Sequence, residues 1–182
     1  MSTIASSFDV LEFWWDAGPQ KWWSRDDAFD REIRARFEAT HIAAAGGGLD
    51  AWGETPDGAM ALTIVLDQFS RNLHRESSDA FAHDATALVL ARASIERGFH
   101  RAFPSPARCF FALPLMHAED MAAQEEAVDF CRLHGDAENY KAALEHLDII
   151  RRFGRFPHRN AVLGRETTDA EWRFLDTGGF KG

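Results

Sequence analysis

Apolar residues in this chain return at intervals of three and four and almost nowhere at intervals of two, which restricts it to helices packed on helices. Phe29, Ile33, Phe37 and His41 form an i, i+4 stripe behind the acids Asp26 and Asp27, and the run Gly46, Gly47, Gly48 ends that helix. Thr55-Pro56-Asp57 combines an N-cap residue, a proline at the first helical position and an acid in the first turn. The helix it opens carries Leu62, Val65, Leu66, Phe69 and Leu73 on one face. A further helix is expected from Ser78 to Ile95, closed by Gly98, and another from Ser105-Pro106, interrupted by Pro114. Glu119–His134 and Asp136–Phe153 read as two more, separated by Gly135, and Thr168-x-x-Glu171 is a capping box for a short last helix. The expectation is an all-α protein of about seven or eight helices joined by short turns.

Nothing divides the chain. No long Gly/Ser/Pro linker or shift of composition interrupts it, and 182 residues suffice to bury about 70% of the extended surface, so one domain over residues 1–182 is expected. Gly46–Gly48 lacks phosphate-loop spacing and follows a helix, not a strand. The longest uncharged runs, Ala59–Leu66 and Cys109–Met116, fall far short of the ~18 residues a membrane span needs. With 20 Lys and Arg against 29 Asp and Glu, the net charge of −9 argues against nucleic acid and anionic membranes as partners. The N-terminal stretch has no basic region before Lys21, and Cys109 and Cys131 lack C-x-x-C spacing. Reduced, buried thiols in a cytoplasmic protein are expected.

Three blocks concentrate polar side chains. Residues 149–165 hold Arg151, Arg152, Arg155, Arg159 and Arg165 with His158 and no acid, a window of +5 in a chain of −9. Guanidiniums so crowded need either carboxylates from elsewhere in the fold or a bound carboxylate or phosphate. Gly154 and Pro157 break the helix there, which leaves Arg155, His158, Arg159 and Asn160 on irregular backbone. In the second block, 66–75, Asp67 and Arg71 stand four apart for an ion pair, with Gln68 and Asn72 beside them. The third, 114–125, puts His117, Asp120 and Gln124 on one helix face. A carboxylate near His117 would fix its tautomer for proton transfer, and His146 and His158 are further candidates. A single Glu-x-x-His, Glu38 with His41, and no cysteine ligand set make a poor metal site. The tryptophans between Trp14 and Trp23 are expected to pack in the core, among acids that exclude a single-stranded nucleic-acid platform.

The segments FWWDAGPQKWWSRDDAFDREIRARF, LDQFSRNLHR, PLMHAEDMAAQE and HLDIIRRFGRFPHRNAVLGR, in that order, closely resemble the bacterial domain-of-unknown-function family 924 from about Val10 to Phe180. The resemblance implies a tetratricopeptide-like α/α superhelix and brings no activity with it. Its polar motif positions fall here on Asp67, Gln68, Arg71 and Asn72, on His117, Glu119 and Gln124, and on His146, Arg155, Phe156, Pro157, His158, Arg159 and Asn160. Ser70 departs from the pattern, which usually has proline there. The working expectation is a pocket for a small anionic ligand. Asp67, Gln68, Arg71, Asn72, Glu119, Gln124, Arg155, Arg159 and Asn160 would bind it, and His117, His146 and His158 would move protons. No nucleophile stands out and the cofactor is unassigned; if a reaction occurs, it is expected to be acid/base or metal-assisted. The alternative is a superhelical scaffold that binds a peptide.

Overall fold

A computed structural model describes residues 3–180, which contain helices and turns and no strand. The α-helical stretches are α1 (Ser7–Ala17), α2 (Pro19–Trp22), α3 (Asp27–Ala45), α4 (Pro56–Thr63), α5 (Ser70–Leu73), α6 (Asp84–Glu96), α7 (Leu113–His117), α8 (Met121–His134), α9 (Ala137–Phe153) and α10 (Asp169–Asp176). Local chemistry sets most of the starts. Asp26 accepts from the amides of Ala28 and Phe29, Thr55 from Gly58, Asp120 from Ala123 and Asp136 from Asn139, while Thr168 and Glu171 complete the expected capping box.

Two expected starts move. The turn at Ser78–Phe81 is 3-10 and the α-helix begins at Asp84; Ser105-Pro106 leads only into the 3-10 stretch Ala107–Phe111. Pro114 then lies in the first turn of α7 instead of interrupting a helix. The missing N–H of proline costs nothing in a first turn, where the amides have no intrahelical partner.

The helix expected across 55–73 is continuous but not uniform. Residues Ile64–Phe69 wind as a π-helix between α4 and α5. Side chains take carbonyls of this stretch: the Ser70 hydroxyl donates to Leu66 O at 2.6 Å, and Arg71 Nη1 to Asp67 O at 2.8 Å. Single π turns inside α-helices concentrate at functional sites. This one carries Asp67 and Gln68.

The main core is aromatic. Phe13, Phe29, Phe37 and Phe69 pack together, and Trp14 fits among Phe29, Phe69 and Phe110; of the tryptophan run Trp14 is in the core, Trp15 and Trp22 pack against it half-buried, and Trp23 is exposed. Burying each such ring contributes about 1.5–3 kcal/mol. A smaller cluster of Ile149, Ile150 and Phe156, with Met121, Phe153, Phe174 and Phe180 against it, covers the end formed by α9 and α10. No described helix is long and apolar enough to cross a membrane.

Candidate functional site

Five segments bring charged side chains to one place: the π turn, α5, the first turn of α6, the last residue of α7, and the 3-10 turn Pro157–Arg159. Asp67 is almost completely buried, and His117 Nδ1 meets its Oδ1 at 2.7 Å. Gln68 Nε2 donates to the other oxygen. Arg71 Nη1 stands 3.1 Å from Asp67 Oδ1, so the i, i+4 pair expected from the sequence forms. The helix runs on through Ser70 and keeps that spacing.

Arg71 also engages Asp84. Its Nη2 donates to Asp84 Oδ2 at 3.1 Å, and its Nη1 lies 3.0 Å from Oδ1 as an ion pair without hydrogen-bond alignment. Arg159 Nη1 donates to the same Asp84 Oδ2 at 3.3 Å. The Arg159 guanidinium lies over the rings of both Phe81 and Phe156, each 4.5 Å away. Two rings this close put low-dielectric material against the charge. Among the described residues this 3.3 Å bond is the only one its side chain makes, and its buried Nε has no partner.

Electrostatics sort the groups into roles. Burial opposes ionisation of Asp67, but Arg71 and the His117 contact outweigh it and hold the carboxyl well below the usual carboxylate range. Burial and the charge of Arg71 push His117 down, against the pull of Asp67. A neutral imidazole facing a carboxylate must donate from Nδ1, which leaves the lone pair on Nε2. His117 Nε2 has no partner among the described residues, and 16% of the side chain stays open. His146, its ring 6.2 Å from that of His117, faces Ala142 O through Nδ1 at 2.8 Å and is pushed down to about 4 by burial and His117. His158 is pushed to about 3 by burial and Arg159, and its Nδ1 is buried without a described partner. Arg159 falls to about 10 because burial and Arg71 outweigh Asp84. Arg71 rises: burial works against its charge, and Asp67 and Asp84 more than compensate.

The other candidates lie elsewhere. Arg155 clasps Glu171 through Nε at 2.7 Å and Nη2 at 2.9 Å, and that carboxylate stands where an external anion was expected. Glu119 accepts from Phe156 N and from both terminal nitrogens of Arg165. Asn160 bonds Arg165 Nε and Thr167, and Asn72 bonds Asp30. Gln124 Nε2 donates to Met116 O at 2.7 Å and Ala118 O at 2.8 Å, which braces the backbone on both sides of His117. Gln124 and Glu119 thus support the site without lining it. Asp120 serves as the N-cap of α8, not as the partner of His117. His41 meets the Ser70 hydroxyl at 2.8 Å beside His74 and His83. Among the described residues no three His, Cys, Asp or Glu side chains converge as metal ligands.

Sequence reasoning missed Asp84 and Phe81. With the helix expected to start at Ser78, nothing marked Asp84, and only the fold brings it to Arg159, 75 positions away in sequence.

Fold and site together define an all-α protein built around a buried Asp–His pair and two arginines that share one carboxylate. The chain belongs to the family described as bacterial protein of unknown function (DUF924), whose model matches residues 10–179. It is similar to the solved structure of ATU0120, a protein of unknown function from Agrobacterium tumefaciens, at 44% identity and a TM-score of 0.91 over 94% of this chain and 97% of that one. No curated protein matches it.

Proposed function

We propose that the cluster binds a small carboxylate or phosphate anion on Arg159 and Arg71, and that His117, oriented by Asp67, accepts a proton from the bound molecule. The observation that carries this reading is the under-partnered Arg159: a buried guanidinium beside two phenyl rings, with one 3.3 Å bond and an Nε that has no partner among the described residues. An anion would complete its charge and its hydrogen bonds at once. His146 and His158, held neutral by burial, stand beside it as neutral imidazoles and leave His117 as the proton acceptor. Acid/base chemistry suits this arrangement better than covalent catalysis, because no described nucleophile faces His117. The hairpin of α8 and α9 about Gly135 fits a tetratricopeptide-like frame, yet burial of Asp67, Arg159 and Asn160 disfavours an open peptide-binding groove. The buried free thiols of Cys109 and Cys131 suit a reducing, cytoplasmic address.

Calorimetric titration with inorganic phosphate and with acetate tests the reading. Arg159→Gln removes a charge-assisted bond worth about 1.5–3 kcal/mol, so affinity should fall at least about tenfold. Equal affinity in parent and variant would overturn it.

A further inference from the structure

The chain already places an aromatic ring over the histidines. Beyond α10, Gly178 turns with a left-handed φ of +86°, and Gly179 N donates to Phe174 O at 2.9 Å. A Cβ on Gly179 would fall 2.5 Å from that carbonyl oxygen and 2.7 Å from the Phe174 ring, so the turn requires glycine at both positions. It directs Phe180 back onto the site, with its ring centroid 4.6 Å from His146 and 5.4 Å from His158, edge-on to each. Phe156 closes the same box, 5.6 Å from either histidine, and its ring lies 4.5 Å from the Arg159 guanidinium. Two surface hollows, one lined by Arg152, Phe153 and Arg173 and one by Glu12, Phe13 and Arg36, contain none of these groups. The ring that covers His146 and His158 is Phe180 itself, half-buried, and among the described residues the backbone bonds that follow α10 are those of Thr177 N to Arg173 O and Gly179 N to Phe174 O.

We infer that the box of His146, Phe156 and His158 is a subsite for an aromatic ring, that Phe180 is its displaceable occupant, and that the ligand is an aryl carboxylate or aryl phosphate. Its ring takes the position of Phe180 while its acid group lies on Arg159 and Arg71. This rests on the anion reading above and adds the chemistry of the remainder of the ligand. Three aromatic walls beside a guanidinium match a molecule with a flat apolar part and an anionic end, which a bare inorganic anion would not fill.

Phenyl phosphate and inorganic phosphate, titrated calorimetrically into the parent and into Phe180→Ala, test the subsite. Phenyl phosphate should bind more tightly than phosphate, and Phe180→Ala should strengthen phenyl phosphate alone, by about tenfold, the worth of the two edge-on contacts it no longer has to displace. Equal strengthening of both probes makes Phe180 a simple gate and overturns the aromatic subsite, as does no change in either. Phosphate binding without preference for the phenyl ester leaves the anion reading standing and sinks this one. Failure of both probes on both proteins sinks both. If Phe180→Ala does not melt cooperatively, phenylalanine-ring NMR on the parent decides. Phenyl phosphate should shift the Phe180 resonances and inorganic phosphate should not; identical responses overturn the inference.

Discussion

Asp84→Asn removes the carboxylate that Arg71 and Arg159 share. At an effective dielectric constant of about 20, unit charges at the observed separations of 3.0 and 3.3 Å attract by about 5 kcal/mol each. Desolvation of the three charges offsets most of that sum. Removing one member of such a buried group costs about 3–5 kcal/mol, and the amide oxygen that remains can accept one bond, so the lower figure of about 3 kcal/mol applies. For a chain of this length that corresponds to a Tm loss of about 6–12 °C, read by thermal unfolding on circular dichroism. The same change leaves two guanidiniums with only Asp67 and, for Arg159, the more distant Glu119 to offset them, and a bound anion then takes over the role of Asp84. Inorganic phosphate should therefore raise the Tm of Asp84→Asn more than that of the parent. A Tm loss under about 2 °C, less than about 1 kcal/mol, would refute the reasoning, because breaking such a buried group should cost about 3 kcal/mol. So would a deficit that phosphate does not repair.

Arg155→Ala should uncover the buried Glu171 carboxylate and loosen α10, seen as faster amide exchange confined to that helix, while phosphate affinity stays unchanged; lost affinity would return Arg155 to the binding site. Acid should destabilise the protein through its buried histidines. His41 and His146 are pushed to about 4 and His158 to about 3, chiefly by burial, whereas the unfolded chain takes up protons near 6.5. Their contribution is complete above pH 6.5 and is lost as pH falls towards 4, by about 2 kcal/mol per histidine at pH 5. Urea midpoints that stay level between pH 7.5 and 5 would contradict that protonation pattern.

Helix starts were legible because a cap is local: Asp26, Thr55, Asp136 and Thr168 each bond an amide within three residues. The π turn was not, because one wider turn hardly alters the apolar spacing of Leu62, Val65, Leu66 and Phe69. The Asp67–Arg71 pair was readable from its i, i+4 register, and His117 from its place in a polar block, but their meeting depends on α7 packing beside the π turn. Among the arginines of 149–165 the sequence displayed the charge without the partners. Arg155 finds Glu171 and Arg165 finds Glu119, while Arg159 alone enters the cluster, through an Asp84 that the expected helix from Ser78 left unmarked.

The most direct test follows the His117 imidazole by 15N NMR across pH, with and without inorganic phosphate. At neutral pH the proton should sit on Nδ1 with Nε2 bare, and phosphate should raise the pKa of His117 in the parent but not in Arg159→Gln. A proton found on Nε2, or a titration indifferent to phosphate, would contradict an anion held beside a base oriented by Asp67.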